Sequence, residues 1–247
     1  MKDVLFEVRE WIAEGDLEKA LDRLQTILSL GESDRSHEAI MLAGRYGKLQ
    51  AEKRKGIIGS EEENLRFNQL MDGTLSLVKE LMKDKAPLDS FARTEERLDA
   101  SLLEKNGIRL RADRRDPLLK RMAYVKGKKI QAAVLWVDDR PENNRREIEI
   151  LEVLGIRSTL ARTTDAALKH LSDPKFDMLL SDITRNGSSQ AGFDLLEFAR
   201  KQAPELPFIF YVGHADPKRG LPPYAFGMTD RPDELIHLVL DAIERLY

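Results

Sequence analysis

Val134-Leu-Trp-Val-Asp138-Asp139 and Met178-Leu-Leu-Ser-Asp182 are short apolar runs that end abruptly in carboxylates. Apolar runs of this length, bounded by turn signals and separated by helix-patterned sequence, read as buried strands of a parallel sheet. Such sheets gather their chemistry at the carboxyl ends of the strands. Asp138, Asp139 and Asp182 are therefore expected at one edge. Carboxylates brought together there repel one another unless a cation or a proton intervenes. Oxygen-only donors with room for water suit an octahedral Mg²⁺.

Outward from these runs the chain alternates strand-like and helix-like segments from Gln131 to the end, the pattern of a doubly wound fold. Strands are read at about 133–138, 156–161, 176–181, 207–212 and 224–228, with helices at about 141–154, 163–171, 191–202 and 232–245. Pro141 and Pro232 stand at helix starts, where a missing N–H is harmless. Pro217, Gly220, Pro222 and Pro223 leave no room for a normal helix between Ala215 and Pro223. The expected class is α + α/β, a small helical bundle followed by a five-stranded parallel sheet of the flavodoxin type.

Residues 1–85 carry helical period only. Leu5, Trp11 and Ile12 mark a first helix closed by Gly15, and Asp16 sits where an N-cap belongs. Leu17, Ala20, Leu21, Leu24, Ile27 and Leu28 form one apolar stripe that Gly31 stops. A third helix runs from about Ser36 to the basic end Lys53-Arg54-Lys55, which suits the helix dipole. Ser60 and Glu63 read as a capping box opening a fourth, with Gly73 as a weak point. Between the two regions, residues 86–130 read as a basic helical linker punctuated by Pro87 and Pro117. Its run from Lys105 to Lys129 holds one aromatic, Tyr124, so a solvated or docking segment is the commoner explanation than a nucleic-acid surface. Leu118, Leu119 and Met122 indicate that part of it packs.

Composition narrows the function classes. A hydrophobic fraction of 42% suits a globular protein, and a net charge of −3 does not argue for nucleic acid or membrane. The absence of cysteine removes disulfides, thiolate metal sites and cysteine nucleophiles. The charged start lacks a signal-peptide core and no run approaches the length of a membrane span, so a cytoplasmic protein is expected.

Ala13-Glu-Gly-Asp-Leu-Glu-Lys-Ala-Leu21, Leu42-Ala-Gly-Arg45-Tyr46-Gly-Lys-Leu49 and Gly56-Ile-Ile-Gly-Ser-Glu-Glu-Glu63 resemble the effector-associated domains of bacterial conflict and signalling systems. The resemblance implies an adaptor without catalysis that pairs with a like domain on another protein through residues 1–85. Arg45, Tyr46 and Lys48 are the candidate contact residues. Tyr46 as core and Arg45 as a solvated or salt-bridged helix residue is the alternative.

Residues 131–247 resemble the receiver domains of two-component response regulators. That resemblance implies Mg²⁺ at Asp138 and Asp139, phosphoryl transfer from a sensor kinase to Asp182, and completion of the metal site by the backbone carbonyl of Thr184. Arg231-Pro232 stands where the family has Lys-Pro, which implies a phosphate-contacting cation and a cis peptide. Three features depart from the pattern. Val212 replaces the hydroxyl residue that ends the fourth strand, Arg231 replaces lysine, and Met228 stands where a switch aromatic is usual. His214 could contact a phosphate in place of the lost hydroxyl, or simply be exposed. The trio could hold a metal with or without phosphorylation. His37, His170 and His237 read as surface or boundary residues, and Trp136 as packed. The expected function is a signalling adaptor with an atypical receiver, and not an enzyme. A Mg²⁺-dependent phosphohydrolase or phosphotransferase using the same trio is the alternative, and a DNA-binding regulator ranks last for want of a recognition helix.

Overall fold

A computed structural model describes residues 2–128, 130–172, 176–214 and 220–246. The chain divides into two compact units, Met1–Leu98 and Asp99–Tyr247. The stretch expected to be a linker over 86–130 is therefore shared between the units. Among the described residues, no helix is long and apolar enough to cross a membrane.

The first unit holds α1 (Lys2–Ala13), α2 (Leu17–Leu30), α3 (Ser36–Arg54), α4 (Ser60–Lys83) and the start of α5 (Ala86–Lys105). Asp16 caps α2 as expected, its side chain accepting from the Lys19 amide at 3.3 Å. Leu17, Leu21, Leu24, Ile27 and Leu28 are fully buried against Val8, Ile12, Leu77 and Leu81. Leu88 and Phe91 of α5 join this core. The capping box is corrected. Gly59 is the N-cap of α4, Ser60 is already helical and no side chain caps the turn. Glu63 pairs instead with Lys53 at 2.5 Å, which draws its carboxylate away from the helix start. α4 runs unbroken through Gly73, where a Cβ would lie 3.0 Å from Leu42 Cδ2 of α3.

The second unit starts with the rest of α5 and α6 (Ala112–Gly127) and continues into a sheet of β1 (Ala132–Val137), β2 (Ile156–Ala161), β3 (Met178–Ser181), β4 (Phe208–Tyr211) and β5 (Gly227–Thr229). A 3₁₀ turn (Pro141–Asn144) leads into α7 (Arg145–Val153). α8 (Thr164–Leu171), α9 (Ala191–Gln202) and α10 (Pro232–Leu246) complete the unit. All pairings are parallel and the strand order is β2-β1-β3-β4-β5. This is the flavodoxin-like order. Alternation along the strands divides the core. Val134, Trp136, Met178, Leu180 and Ile209 face α6, α7 and α10, while Leu135, Val137, Leu179, Phe208 and Phe210 face α8 and α9.

α6 belongs to this unit's core. Leu118, Leu119, Met122 and Val125 are buried on its apolar face. Arg121 reaches Asp241 at 2.6 Å and Glu244 at 3.1 Å on α10, and Lys126 meets the buried Asp99 at 2.9 Å. Part of the basic run is thus consumed by internal ion pairs. The Arg231–Pro232 peptide expected to be cis is trans. Arg231 leads directly into α10, its carbonyl accepting from the Leu235 amide at 2.9 Å, and a trans bond continues that first turn. Residues 215–219 of the proline-rich stretch lie outside the described residues. No helix is described between Val212 and Arg231.

Candidate functional site

The chain runs from β1 outward to β2 and returns to β3 on the other side of β1, so the switch in direction lies between β1 and β3. Ligand crevices of open α/β sheets form at such points, beyond the carboxyl ends of the strands. The register aligns Val137 with Ser181, which makes Asp138 and Asp182 the next residues on adjacent strands. The Asp182 amide still donates to the Val137 carbonyl at 3.1 Å. A cleft of about 750 Å³ opens there, lined by Asp138, Asp139, Asp182, Thr184, Val212 and His214 among others.

Each carboxylate is held by N–H donors. Asp138 is buried and accepts from the Arg140 amide and from Asn144 Nδ2, both at 2.7 Å. Asp139 accepts from the Asn186 amide at 2.8 Å. Asp182 accepts through one oxygen from the amides of Ile183 at 2.6 Å and Thr184 at 3.4 Å. Among the described residues, no group of three carboxylates or imidazoles is close enough to hold a metal ion as it stands. The donors nevertheless suit a hard divalent cation, since they are carboxylate oxygens on a half-open cleft with space for water.

Burial, above all, raises Asp182 above the ordinary carboxylate range, and the neighbouring Asp138 adds to it. The Ile183 and Thr184 amides and the charge of Arg185 oppose the rise. A carboxyl whose folded pKa exceeds its unfolded value destabilises the fold when ionised, and that cost is relieved as pH falls through the folded pKa. Asp182→Asn is therefore expected to stabilise the metal-free protein at neutral pH by roughly 1 kcal/mol or less, discounted for the half-exposed position. Urea midpoints of both proteins at neutral and acid pH check this. The advantage of the asparagine should vanish at the acid end.

The remaining expected residues separate. His214 lines the cleft but is mostly exposed, its ring nitrogen 3.8 Å from Asp230. Arg231 is not among the lining residues. Its guanidinium pairs with Asp233 at 2.6 Å and Glu234 at 2.8 Å, on the first turn of α10, which it precedes. Val212 lines the cleft, and its side chain carries no hydrogen-bonding group. In the first unit, Arg45 and Lys48 are exposed on α3, and Tyr46 is half-buried. Tyr46 lines a separate cleft of about 410 Å³ with Glu18, Asp22, Gly47 and Arg54.

Arg185 was not anticipated. It precedes the tight turn Asn186-Gly187, whose residues have φ of 50° and 82° and which Arg185 and Ser188 close by exchanging backbone hydrogen bonds. Asn-Gly is the sequence signature of such a turn, but nothing in the sequence signals that the arginine before it points inward. The guanidinium donates to Ser181 Oγ and the Asp182 carbonyl, and to Thr164 Oγ1 at 3.0 Å and the Ala191 carbonyl at 2.7 Å. Asn144, which holds Asp138, was also missed, because one asparagine in a turn carries no recognisable pattern.

Residues 5–82 match the family model of Effector-associated domain 11. The nitrogen assimilation regulatory protein NtrX of Azorhizobium caulinodans is 30% identical over 123 residues, 46% of this chain and 26% of that protein. A Roc-COR-CHAT protease from an unknown prokaryotic organism is 32% identical over 83 residues, 34% of this chain and 8% of that protein. The chain thus spans only a minor part of either relative. Among solved structures, the non-phosphorylated HemR receiver domain of Leptospira biflexa is 26% identical, with 47% of this chain and 94% of that chain covered and a TM-score of 0.39. A response regulator receiver domain protein of Clostridium thermocellum is 21% identical, with 47% and 96% covered and a TM-score of 0.41. The chain joins a segment matching Effector-associated domain 11 to a unit whose own strand order is that of the receiver fold.

Proposed function

We propose that the chain is a cytoplasmic signalling adaptor. Its first unit recruits a protein carrying a like domain, and its second is an atypical receiver that accepts a phosphoryl group on Asp182 from a sensor kinase or small acyl phosphate. The observation that carries this reading is the adjacency of Asp138 and Asp182 at the β1/β3 switch point, with Asp139 lining the same cleft. The match of residues 5–82 to an effector-associated domain supports the recruiting role. Arg45, Tyr46 and Lys48 on α3 are the contact residues in this reading.

In the transfer, a carboxylate oxygen of Asp182 bonds to phosphorus as the donor's bond to phosphorus breaks, and the donor leaves with the electron pair. The Ile183 and Thr184 amides hold one carboxylate oxygen and so orient the other. Asp138, Asp139, Asp182 and the Thr184 carbonyl are the groups that would hold Mg²⁺, which when bound supplies charge compensation for the transfer. Arg231 is engaged with Asp233 and Glu234, which leaves His214 as the nearer candidate for a phosphate contact. The chain is not an enzyme in this reading, because the phosphoryl group is received and not passed to a small-molecule substrate.

Two measurements test the proposal. Treatment with acetyl phosphate and Mg²⁺, followed by intact mass, should add one phosphoryl group to the wild type and none to Asp182→Asn. An unmodified wild type would refute the acceptor role. Mg²⁺ should bind in the millimolar range, on the order of 4 kcal/mol, and Asp139→Asn should weaken it severalfold. Equal responses in the two proteins would remove the metal site.

The readout is expected to be weak. Val212 offers no donor to a phosphoryl oxygen, and a modification shifts an equilibrium only as far as it interacts differently with the two states. Partner affinity should therefore change little when a beryllofluoride phosphate mimic is added. A change of about tenfold that Asp182→Asn abolishes would make the unit a working switch instead.

A further inference from the structure

Among the described residues, Arg185 is the most buried charged side chain, at 1% exposure. Among the described residues its four hydrogen-bond partners are neutral oxygens, those of Ser181, Asp182, Thr164 and Ala191, and its Nε has no partner there. It forms no ion pair among the described residues. A guanidinium stays charged in a protein, and burying it without a paired carboxylate is costly. Some other charge must offset it. Arg185 grips the backbone carbonyl of Asp182, whose carboxylate lines the cleft, and the strand register sets Asp138 beside Asp182, with Asp139 in the same lining.

We propose that Arg185 is the built-in counter-cation of the acidic cleft, and that it lowers the cleft's demand for a divalent ion. The attraction is reciprocal. Three carboxylates at one sheet edge need positive charge, and the guanidinium that grips the Asp182 backbone provides it from the protein side. A divalent ion entering the cleft then meets carboxylates already partly compensated, and is repelled by the fixed cation. The divalent-ion half of this inference rests on the proposed metal site. The counter-cation half does not.

The alternative is that Arg185 is only a hydrogen-bond hub tying the end of β3 to α8 and α9. Asp182→Asn separates the two, because it removes the carboxylate charge and leaves the backbone carbonyl that Arg185 binds. Urea unfolding of the full chain in EDTA is compared for wild type, Arg185→Met, Asp182→Asn and the double variant. A counter-cation predicts that Arg185→Met raises the unfolding constant much less in the Asp182→Asn background, by a factor of about five or more. Equal increases in both backgrounds overturn the proposal. If Arg185→Met does not fold, the double variant decides. A folded double variant supports the counter-cation, and an unfolded one overturns it.

Thermal unfolding against Mg²⁺ concentration tests the other half. Arg185→Met should respond at about tenfold lower Mg²⁺ than wild type, equivalent to about 1.4 kcal/mol. Equal midpoints overturn that half. A coupled cycle with no Mg²⁺ response in any variant counts against the divalent-ion site alone and leaves the counter-cation standing.

Discussion

Trp136→Ala is expected to destabilise the sheet unit by about 4 kcal/mol, a large share of the roughly 5–15 kcal/mol that holds a domain folded. Trp136 lies at the centre of β1 and is fully buried. Its ring packs edge-on to Tyr211, with centroids 6.0 Å apart, among Val134, Leu180 and Leu235 of the same cluster. Truncation to alanine removes that contact and leaves a cavity between the sheet and the helices on that face. The indole Nε1 has no hydrogen-bond partner among the described residues, so Trp136→Phe gives up little polar energy and should cost far less than the alanine. Urea unfolding followed by far-ultraviolet circular dichroism checks the prediction, with the midpoint falling by roughly 2 M. Trp11 then remains as the single tryptophan, and its fluorescence reads the first unit alone. A midpoint within experimental error of wild type would show that the β1 core tolerates the void.

Gly192→Val should cost about 3 kcal/mol and disturb the cleft as well, because the crowding falls on backbone. A Cβ at Gly192 would lie 2.6 Å from the Asp182 carbonyl oxygen and 2.6 Å from Ile183 Cα, with Phe210 Cε1 at 3.1 Å. A side chain could rotate away from such a contact, but the end of β3 cannot. α9 must then move off the sheet, or Asp182 must shift with its carbonyl. The same carbonyl accepts from Arg185, and the Gly192 amide donates to the Ile183 carbonyl at 2.9 Å. The substitution is expected to lower the urea midpoint and to slow acetyl-phosphate labelling of Asp182 under conditions where the protein is still folded. Wild-type stability together with wild-type labelling would mean that α9 is not held at this approach.

The fold class was legible because both units carry strong local periodicity. Alternating strand-like and helix-like segments predicted the five strands, and the observed ends differ from the reading by three residues or fewer. The same strand pattern brought Asp138, Asp139 and Asp182 to one cleft, since the end of a buried strand is defined by where the apolar run stops. Asp16 was readable for a similar reason, because an N-cap interacts with its own first turn.

What the sequence determined by itself therefore consists of features whose partners lie within a few residues, or whose pattern repeats with the period of a helix or strand. The tertiary structure alone decided the rest. The basic stretch became α6, packed on its own unit's sheet through Leu118, Leu119, Met122 and Val125, with Arg121 finding Asp241 and Glu244 more than a hundred residues away. Arg231 turned to Asp233 and Glu234, the two carboxylates on the first turn of α10, although its neighbour Asp230 lines the cleft. Glu63 left its capping position for Lys53 on the preceding helix. Arg185 went inward because its four acceptor oxygens come from three separate segments, β3 with the residue that follows it, α8 and α9. The direction of a long charged side chain depends on which opposite charges and acceptors the fold assembles around it, and those partners have no common spacing along the chain.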